Sequence, residues 1–488
     1  MPQCISGTLT RQLTVYRQRV AAAPVLLECE TLSRVNVTRV LQETKVQGRE
    51  RLFPPHVTLW TFLLQVLSPD GSCRDAVTRL RAFQVAQGAS PCAPNTGSYC
   101  KARGRLPEAV VAHLAQEVGH RLSHSIPVQW RWKGRTVKLV DGSTVSMPDT
   151  VENQAAYPQH TQQQAGLGFP IARVLGVFCL ASGSLVTLAV GPYCGKETGE
   201  PALFRQVESC LAPGEVVLGD RCYSSYWLVA SLQARGVDYV GRQHQRRKAD
   251  FRRGQRLGYD DHLIEWTKPA RPSWMDEVAY QQAPDRLHVR ELRVRVARKG
   301  FRTSVLLVVT TLLTPTTCTK EEIAELYRCR WHAELDLRAI KTALGMDIVR
   351  GKTPAMVRKE LWMYVLAYNL IRSVMAAAAV RSGLVPRTLS FTGALQAFNA
   401  FGTALLFAEA SAKDALLEAL YDTMCAHRVG QRPDRVEPRA VKRRPKPHPL
   451  SHVQGVVAAY GEFLCNNSSI KDIENMRSCR LDDRCPHE

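Results

Sequence analysis

The chain is expected to fold around an α/β mixed sheet covered by helices, with a β-rich insertion and helical N- and C-terminal regions. Three patterns point there. From residue 136, short β-branched and aliphatic runs give way to alternating helix-like and strand-like segments, as in a sheet with helices packed on it. Further strand-like runs interrupt that alternation between residues 242 and 318. Before residue 130 and after 318, apolar residues instead recur at helical spacing.

Taken in order, residues 59–67 and 110–122 have the helical period, and the Gly/Ser/Pro/Cys-rich stretch 88–100 between them reads as a loop. Residues 136–140, 173–180 and 185–190 read as strands. A helix is expected over 200–211, a strand over 215–219, a helix over 225–234 and a strand over 237–241. The interruption opens with the Arg-rich run 242–256 and carries its clearest strands at 291–296 and 304–313. Thr319 with Glu322 three residues later is a capping-box pattern, opening a helix expected to run to about Leu344. Helices follow at 354–382 and 395–420, and the basic, proline-rich residues 430–449 read as a linker. The expected regions are therefore 1–130, 131–245, 246–318, 319–429 and 430–488. The first is helical with a possible role at DNA ends, the second opens the core, the third is the insertion, the fourth completes the core, and the last is a basic tail.

Across 488 residues, 65 Lys and Arg face 44 Asp and Glu, for a net charge of +21, which points first to nucleic acid through phosphate contacts. With 45% hydrophobic and 22% charged residues, wholesale disorder is excluded. No secretory signal is expected at the start, MPQCISGTLTRQ. The most apolar stretch, 361–380, is broken by Asn369 and Arg372 and suits a buried helix better than a membrane span. Fifteen scattered cysteines without a CxxC pair suit reduced thiols in a cytosol rather than disulfides or structural zinc.

The most informative segment is 327–341, YRCRWHAELDLRAIK. On a helix, with Tyr327 at zero, Arg330 falls at about −60°, Glu334 at about −20° and Lys341 at about −40°. A hydroxyl, a guanidinium, a carboxylate and an ammonium then share one face, while Asp336 points away. A solvated face with Arg/Glu pairing accounts for part of this but requires neither the tyrosine nor one acid framed by bases. A lone acid among phosphate-binding groups suits a divalent metal held beside a nucleic-acid backbone. Two-metal phosphoryl transfer needs about three converging carboxylates. Asp141, ending the strand TVKLV, and Asp220, ending EVVLG, supply two more. Each alone also suits a turn residue, or for Asp220 a helix cap.

Weaker patterns compete. GPYCGKE at 191–197 follows a strand like a phosphate-binding loop, but it is one residue short and has Glu197 where a Ser or Thr belongs, so a turn is expected. His120 and His124 lack the glutamate of a zinc-protease helix. Asp149 reads as a fourth acid or a turn, and the basic run 439–446 as a DNA contact or a solvated stretch. Arg221 and Tyr223 flank Asp220, either near substrate or tying down its loop.

The order DGSTVSMPDT, QQAGLGFPIARVLGVF, GDRCY and then Tyr327-(2)-Arg330-(3)-Glu334-(6)-Lys341, followed by TPAMVRKELWMYVLAYNLIR, resembles the DDE transposases of the insertion-sequence-four family over roughly residues 130–400. The resemblance implies an RNase H-like core with a β-strand insertion before the glutamate. It implies that Asp141, Asp220 and Glu334 ligate two Mg²⁺ ions, with Mn²⁺ a substitute. Tyr327, Arg330 and Lys341 would grip phosphates near the element's end. Some relatives hold a flipped base on an aromatic residue of the insertion, and Trp266, or else Trp274, is the candidate. The implied activity is Mg²⁺-dependent cleavage at element ends and strand transfer into target DNA. The implied partners are double-stranded DNA (terminal inverted repeats and target) and a second copy of the chain, in a bacterial cytoplasm near the nucleoid. A nuclease without strand transfer and an inactive DNA-binding repressor are the competing readings.

Overall fold

The computed structural model describes residues 40, 43, 53–164, 166–295 and 305–430. The basic run 439–446 and nearly all of the expected linker lie outside the described residues.

Four helices come first: α1 (Pro55–Leu67), α2 (Cys73–Ala86), α3 (Gly97–Arg105) and α4 (Glu108–His124). The Ser72 hydroxyl caps α2 by accepting the Asp75 backbone N–H at 3.1 Å. Helix α3 takes up residues that composition assigned to a loop. Its buried Tyr99 donates to Gln65 Oε1 at 2.7 Å, so a tertiary anchor outweighs the local Gly/Ser content. In α4, Val110, Val111, Leu114, Ala115, Val118 and Leu122 form the buried stripe that the 3.6-residue period requires.

The central part runs β1 (Val137–Ser146), α5 (Val151–Ala156), β2 (Ile171–Cys179), β3 (Leu185–Pro192), α6 (Glu200–Val207), β4 (Val216–Gly219), α7 (Tyr226–Ala234) and β5 (Asp238–Arg242). There follow β6 (Gln255–Gly258), β7 (Asp261–Thr267), α8 (Glu277–Gln282), β8 (Arg286–Arg295) and β9 (Val305–Thr310). The chain then turns helical: α9 (Lys320–Arg328), α10 (Trp331–Arg338), α11 (Pro354–Arg381), α12 (Phe391–Phe407) and α13 (Ala410–Ala426). All nine strands form one sheet in the order β3-β2-β1-β4-β5-β9-β8-β7-β6. Strands β1, β4 and β5 are parallel, and β2 runs antiparallel between β1 and β3, which is the RNase H-like arrangement. Strands β6 to β9 extend this sheet, because β9 pairs antiparallel with β5.

Side chains alternate across the sheet, and so do its two cores. Leu139 and Val145 of β1 pack with α4 and α11 on one face; Val140 packs with Leu203 and Phe204 of α6 and Val229 of α7 on the other. Helix α11 has the length and hydropathy of a membrane span, yet 89% of its most apolar window is buried inside the protein. Its polar interruptions are stitches. The Asn369 amide donates to the Ala115 and Leu185 carbonyls at 3.0 and 2.8 Å and accepts the Leu185 N–H at 2.8 Å, joining α11 to α4 and β3.

Three expected boundaries move. Strand β1 does not end at Asp141 but runs on to Ser146, because β2 pairs with it that far although β4 stops level with Leu139. The helix from Thr319, whose capping box is present, is not continuous to Leu344. Bonds from Arg330, His332 and Ala333 reach back three residues instead of four, separating α9 from α10, and residues Ala339–Ala343 form a wider π-turn. The helix expected at 395–420 is two helices, because Ala408 and Glu409 are extended.

Candidate active site

Strand pairing carries the first two acids to the same end of the β1–β4 pair. Val137 is level with Val216 and Leu139 with Leu218, and Asp141 and Asp220 each follow two residues after the last paired position. Burial, with Glu200, Asp220 and Asp141 nearby, pushes the Cys222 thiol up in the turn after β4. The Asp141 carboxylate accepts the Gly142 N–H at 3.0 Å. Asp220 caps a single 3₁₀ turn, Arg221–Tyr223, accepting the Arg221 N–H at 2.6 Å. One strand further, Gly219 is level with Gly241, so Arg242 lies beside Asp220.

Glu334 comes from α10, which packs on β1. Lys341, in the π-turn, fixes that packing by donating to the Ser143 hydroxyl and the Thr144 carbonyl, both at 2.8 Å, just beyond Asp141 on β1. Arg330 donates to Glu334 at 2.6 Å, with 17% of the arginine side chain and 38% of the glutamate exposed. Tyr327 is buried at 7% exposure in the last turn of α9. Asp336 points the other way, as the helical angle implies. It is fully buried between Arg372 at 2.6 Å and Arg387 at 2.7 Å, on the side facing α11.

The electrostatics tie these groups into one cluster. Burial pushes the Asp141 carboxyl up to about 6; Arg330 and the Gly142 N–H oppose this, and Glu200 and Glu334 reinforce it. Burial works against the Arg330 charge, but the Glu334 bond, with Tyr327 and Asp220 nearby, holds that guanidinium above its ordinary value. Burial pushes the Tyr327 hydroxyl up to about 12, against the pull of Arg330. One guanidinium thus neighbours all three acids and the tyrosine.

Glu200, at the start of α6, was not anticipated. It accepts the Tyr223 hydroxyl at 3.0 Å and the Cys222 thiol at 3.7 Å and lies beside Asp141. Gly199-Glu200-Pro201 marks only a helix start in the sequence; nothing local shows where the side chain goes.

The remaining candidates scatter. Tyr223 is 1% exposed and holds its loop through Glu200 instead of facing the site opening. Arg221 bonds Gln245 at 3.2 Å, joining the Asp220 turn to the Arg-rich loop. Trp266 is corrected: it is 2% exposed in the insertion core with Arg247 over its ring at 4.0 Å, so no ring face is open for a base. Trp274 is 36% exposed, but the Arg205 guanidinium covers it at 3.8 Å. Asp149 accepts Gln154 at 2.8 Å as a turn residue. Glu197 bonds Arg205 from a residue of φ 54°, a turn as expected.

The Transposase DDE domain family matches residues 132–370, which span both aspartates and the Tyr/Arg/Glu/Lys helices. Residues 132–370 form a transposase DDE domain, and the chain as a whole is similar to the DDE transposases of the insertion-sequence-four type. A curated relative, transposase InsG for insertion sequence element IS4 of Escherichia coli (strain K12), is 27% identical over 425 residues, 85% of this chain and 91% of the relative. A solved piggyBac transposase synaptic complex with hairpin DNA aligns over 83% of this chain and 85% of its own, at 9% identity and a TM-score of 0.42.

The DDE domain brings dependence on a divalent metal. The donors here suit one: oxygen ligands, partly buried, with Asp141 disfavoured as an uncompensated anion. Among the described residues no three His, Cys, Asp or Glu side chains are gathered as a metal site, and Glu334 is held by Arg330.

Proposed function

We propose that the chain cleaves DNA at the ends of an insertion element and joins the freed ends to target DNA, with Asp141, Asp220 and Glu334 holding two Mg²⁺ ions that Mn²⁺ can replace. What supports this is the parallel pairing of β1 with β4 up to Leu139 and Leu218, two residues short of Asp141 and Asp220, together with the packing of α10, which carries Glu334, on β1. When bound, the two ions supply a water of lowered pKa and neutralise charge on the leaving oxygen.

The chain's own groups do the rest. The partly exposed Arg330–Glu334 pair is worth little, so an arriving DNA phosphate exchanges with Glu334 for the guanidinium. That exchange frees the carboxylate to turn toward Asp141 and Asp220 as the substrate docks. Tyr327 keeps its proton on Oη at neutral pH and donates it in a hydrogen bond to a phosphate oxygen. Lys341 holds β1 against the glutamate helix and sets its charge beside the cleaved strand. No protein nucleophile is needed; binding, orientation and charge carry the reaction.

Arg221 and the Arg-rich loop track the backbone, supported by their contact through Gln245. The helical region before residue 130 helps hold the terminal repeats, and two ends brought together favour a homodimer. The setting is a bacterial cytoplasm, at the nucleoid.

The test is cleavage of a fragment carrying the element's own ends in Mg²⁺, wild type against Glu334→Ala. Cleavage by wild type alone, with DNA binding kept in both, is the expected result. Equal cleavage by both proteins removes Glu334 from catalysis.

A further inference from the structure

Glu200 stands on α6, far in sequence from the three acids, yet its carboxylate touches the supports of two of them. On one side it meets the turn that Asp220 caps: Glu200 Oε2 accepts the Tyr223 hydroxyl at 3.0 Å and the Cys222 thiol at 3.7 Å. On the other it lies over Gly142, the residue after Asp141. A Cβ at position 142 would fall 2.4 Å from Glu200 Cδ and 2.5 Å from Oε1, so the carboxylate occupies the space that glycine leaves open. Tyr223 cannot easily move, since its ring is buried edge-on against Phe204 at 6.0 Å between centroids. The carboxylate is thus wedged between a fixed turn and a bare backbone.

Resting on the reading above, we infer that Glu200 is a positioning residue, a strut that sets the separation of Asp141 and Asp220. The parallel pairing of β1 with β4 stops level with Leu139 and Leu218, so backbone hydrogen bonds do not hold the strands at the aspartates themselves. Glu200 supplies the missing tie from the side. Its hydrogen bonding needs an oxygen acceptor at that place and does not need the charge, so glutamine substitutes for it and alanine does not.

The experiment uses the full chain with Mn²⁺ as probe. Mn²⁺ binding is read by electron paramagnetic resonance without DNA, and end cleavage and end binding are read separately. Glu200→Ala is expected to weaken Mn²⁺ binding by about 10-fold and slow cleavage by about 10- to 100-fold, as loss of a supporting residue does around a metal site. Glu200→Gln is expected to stay within about threefold of wild type in both, since its amide oxygen still accepts Tyr223. A purely structural role would leave Mn²⁺ affinity per folded molecule unchanged. Wild-type Mn²⁺ binding and cleavage in Glu200→Ala overturn the strut, as does a Glu200→Gln variant that falls as far as the alanine. If Glu200→Ala does not fold, Tyr223→Phe takes its place, with about a fivefold loss of Mn²⁺ affinity expected for one hydrogen bond and no loss overturning the idea. Asp141→Asn, run alongside, separates the two claims. Cleavage by Asp141→Asn sinks the active-site reading, whereas an inactive Asp141→Asn beside a fully active Glu200→Ala sinks the strut alone.

Discussion

Glu334 and Asp336 stand two residues apart on α10 and are held in opposite ways. Asp336, facing α11, has no exposed surface and is clamped by two arginines, one of which, Arg372, also bonds Tyr368 at 2.9 Å. Glu334, on the sheet side, is more than a third exposed and shares Arg330 with Asp141 and Asp220. The insertion repeats the Asp336 pattern. Asp261 receives two bonds from buried Arg290, at 2.8 and 2.5 Å, and Glu291 is met by His262 at 3.2 Å and Gln243 at 2.9 Å. Acids that serve the fold are saturated by partners, while Asp141 within β1, Asp220 just after β4 and Glu334 share one guanidinium. A cluster left short of positive charge is where a cation or a phosphate-bound metal adds most.

The sharpest attempt to break this contrast is Asp336→Asn. It leaves two inward-facing arginines half-compensated and should cost about 3–5 kcal/mol of folding free energy, read by chemical denaturation. A loss below about 1 kcal/mol would mean the buried acid is not structural in the sense argued. Next comes Asp141→Asn. Cleavage should drop by roughly 10³-fold. The melting temperature should hold or rise, because burial and the neighbouring acids make the Asp141 anion unfavourable in the fold. A fall in melting temperature as large as that of Asp336→Asn would erase the distinction.

The smallest effect concerns a group that refuses charge. Burial, with Lys138 and His124 nearby, pushes the His120 imidazole down from 6.5 to about 4. Its folded-state value is depressed, so the stability it contributes is present above pH 6.5 and lost as pH falls toward 4. His120→Gln should show a shallower drop in melting temperature across that window, with no change at pH 8. Parallel melting curves for both proteins would remove this linkage.

Part of this region was legible from residues alone. The helical spacing of Arg330 and Glu334 paired them on one side of α10 and sent Asp336 to the other, where it lies, although the single helix expected from Tyr327 to Lys341 is broken. The capping box at Thr319 marked a helix start that is present. Asn369 and Arg372 marked 361–380 as a core helix, and both prove to be internal stitches. Trp266 was misread because an aromatic in a β-rich insertion looks the same in sequence whether it faces solvent or core. The strand past Asp141 was cut short because Asp-Gly-Ser-Thr has turn composition, whereas β2 holds it extended.

The sequence by itself determined what depends on near neighbours: where strands and helices lie, how one helix divides its polar groups between two faces, and which acids have the chemistry to hold a metal. Only the tertiary structure decided which of those acids meet. The level of β1 against β4, the arrival of Glu200 from α6 and the two arginines around Asp336 all join residues distant along the chain. Periodicity is set by bond geometry over a few residues, but charge compensation is set by register and packing across the sheet, and these exist only once the chain has folded.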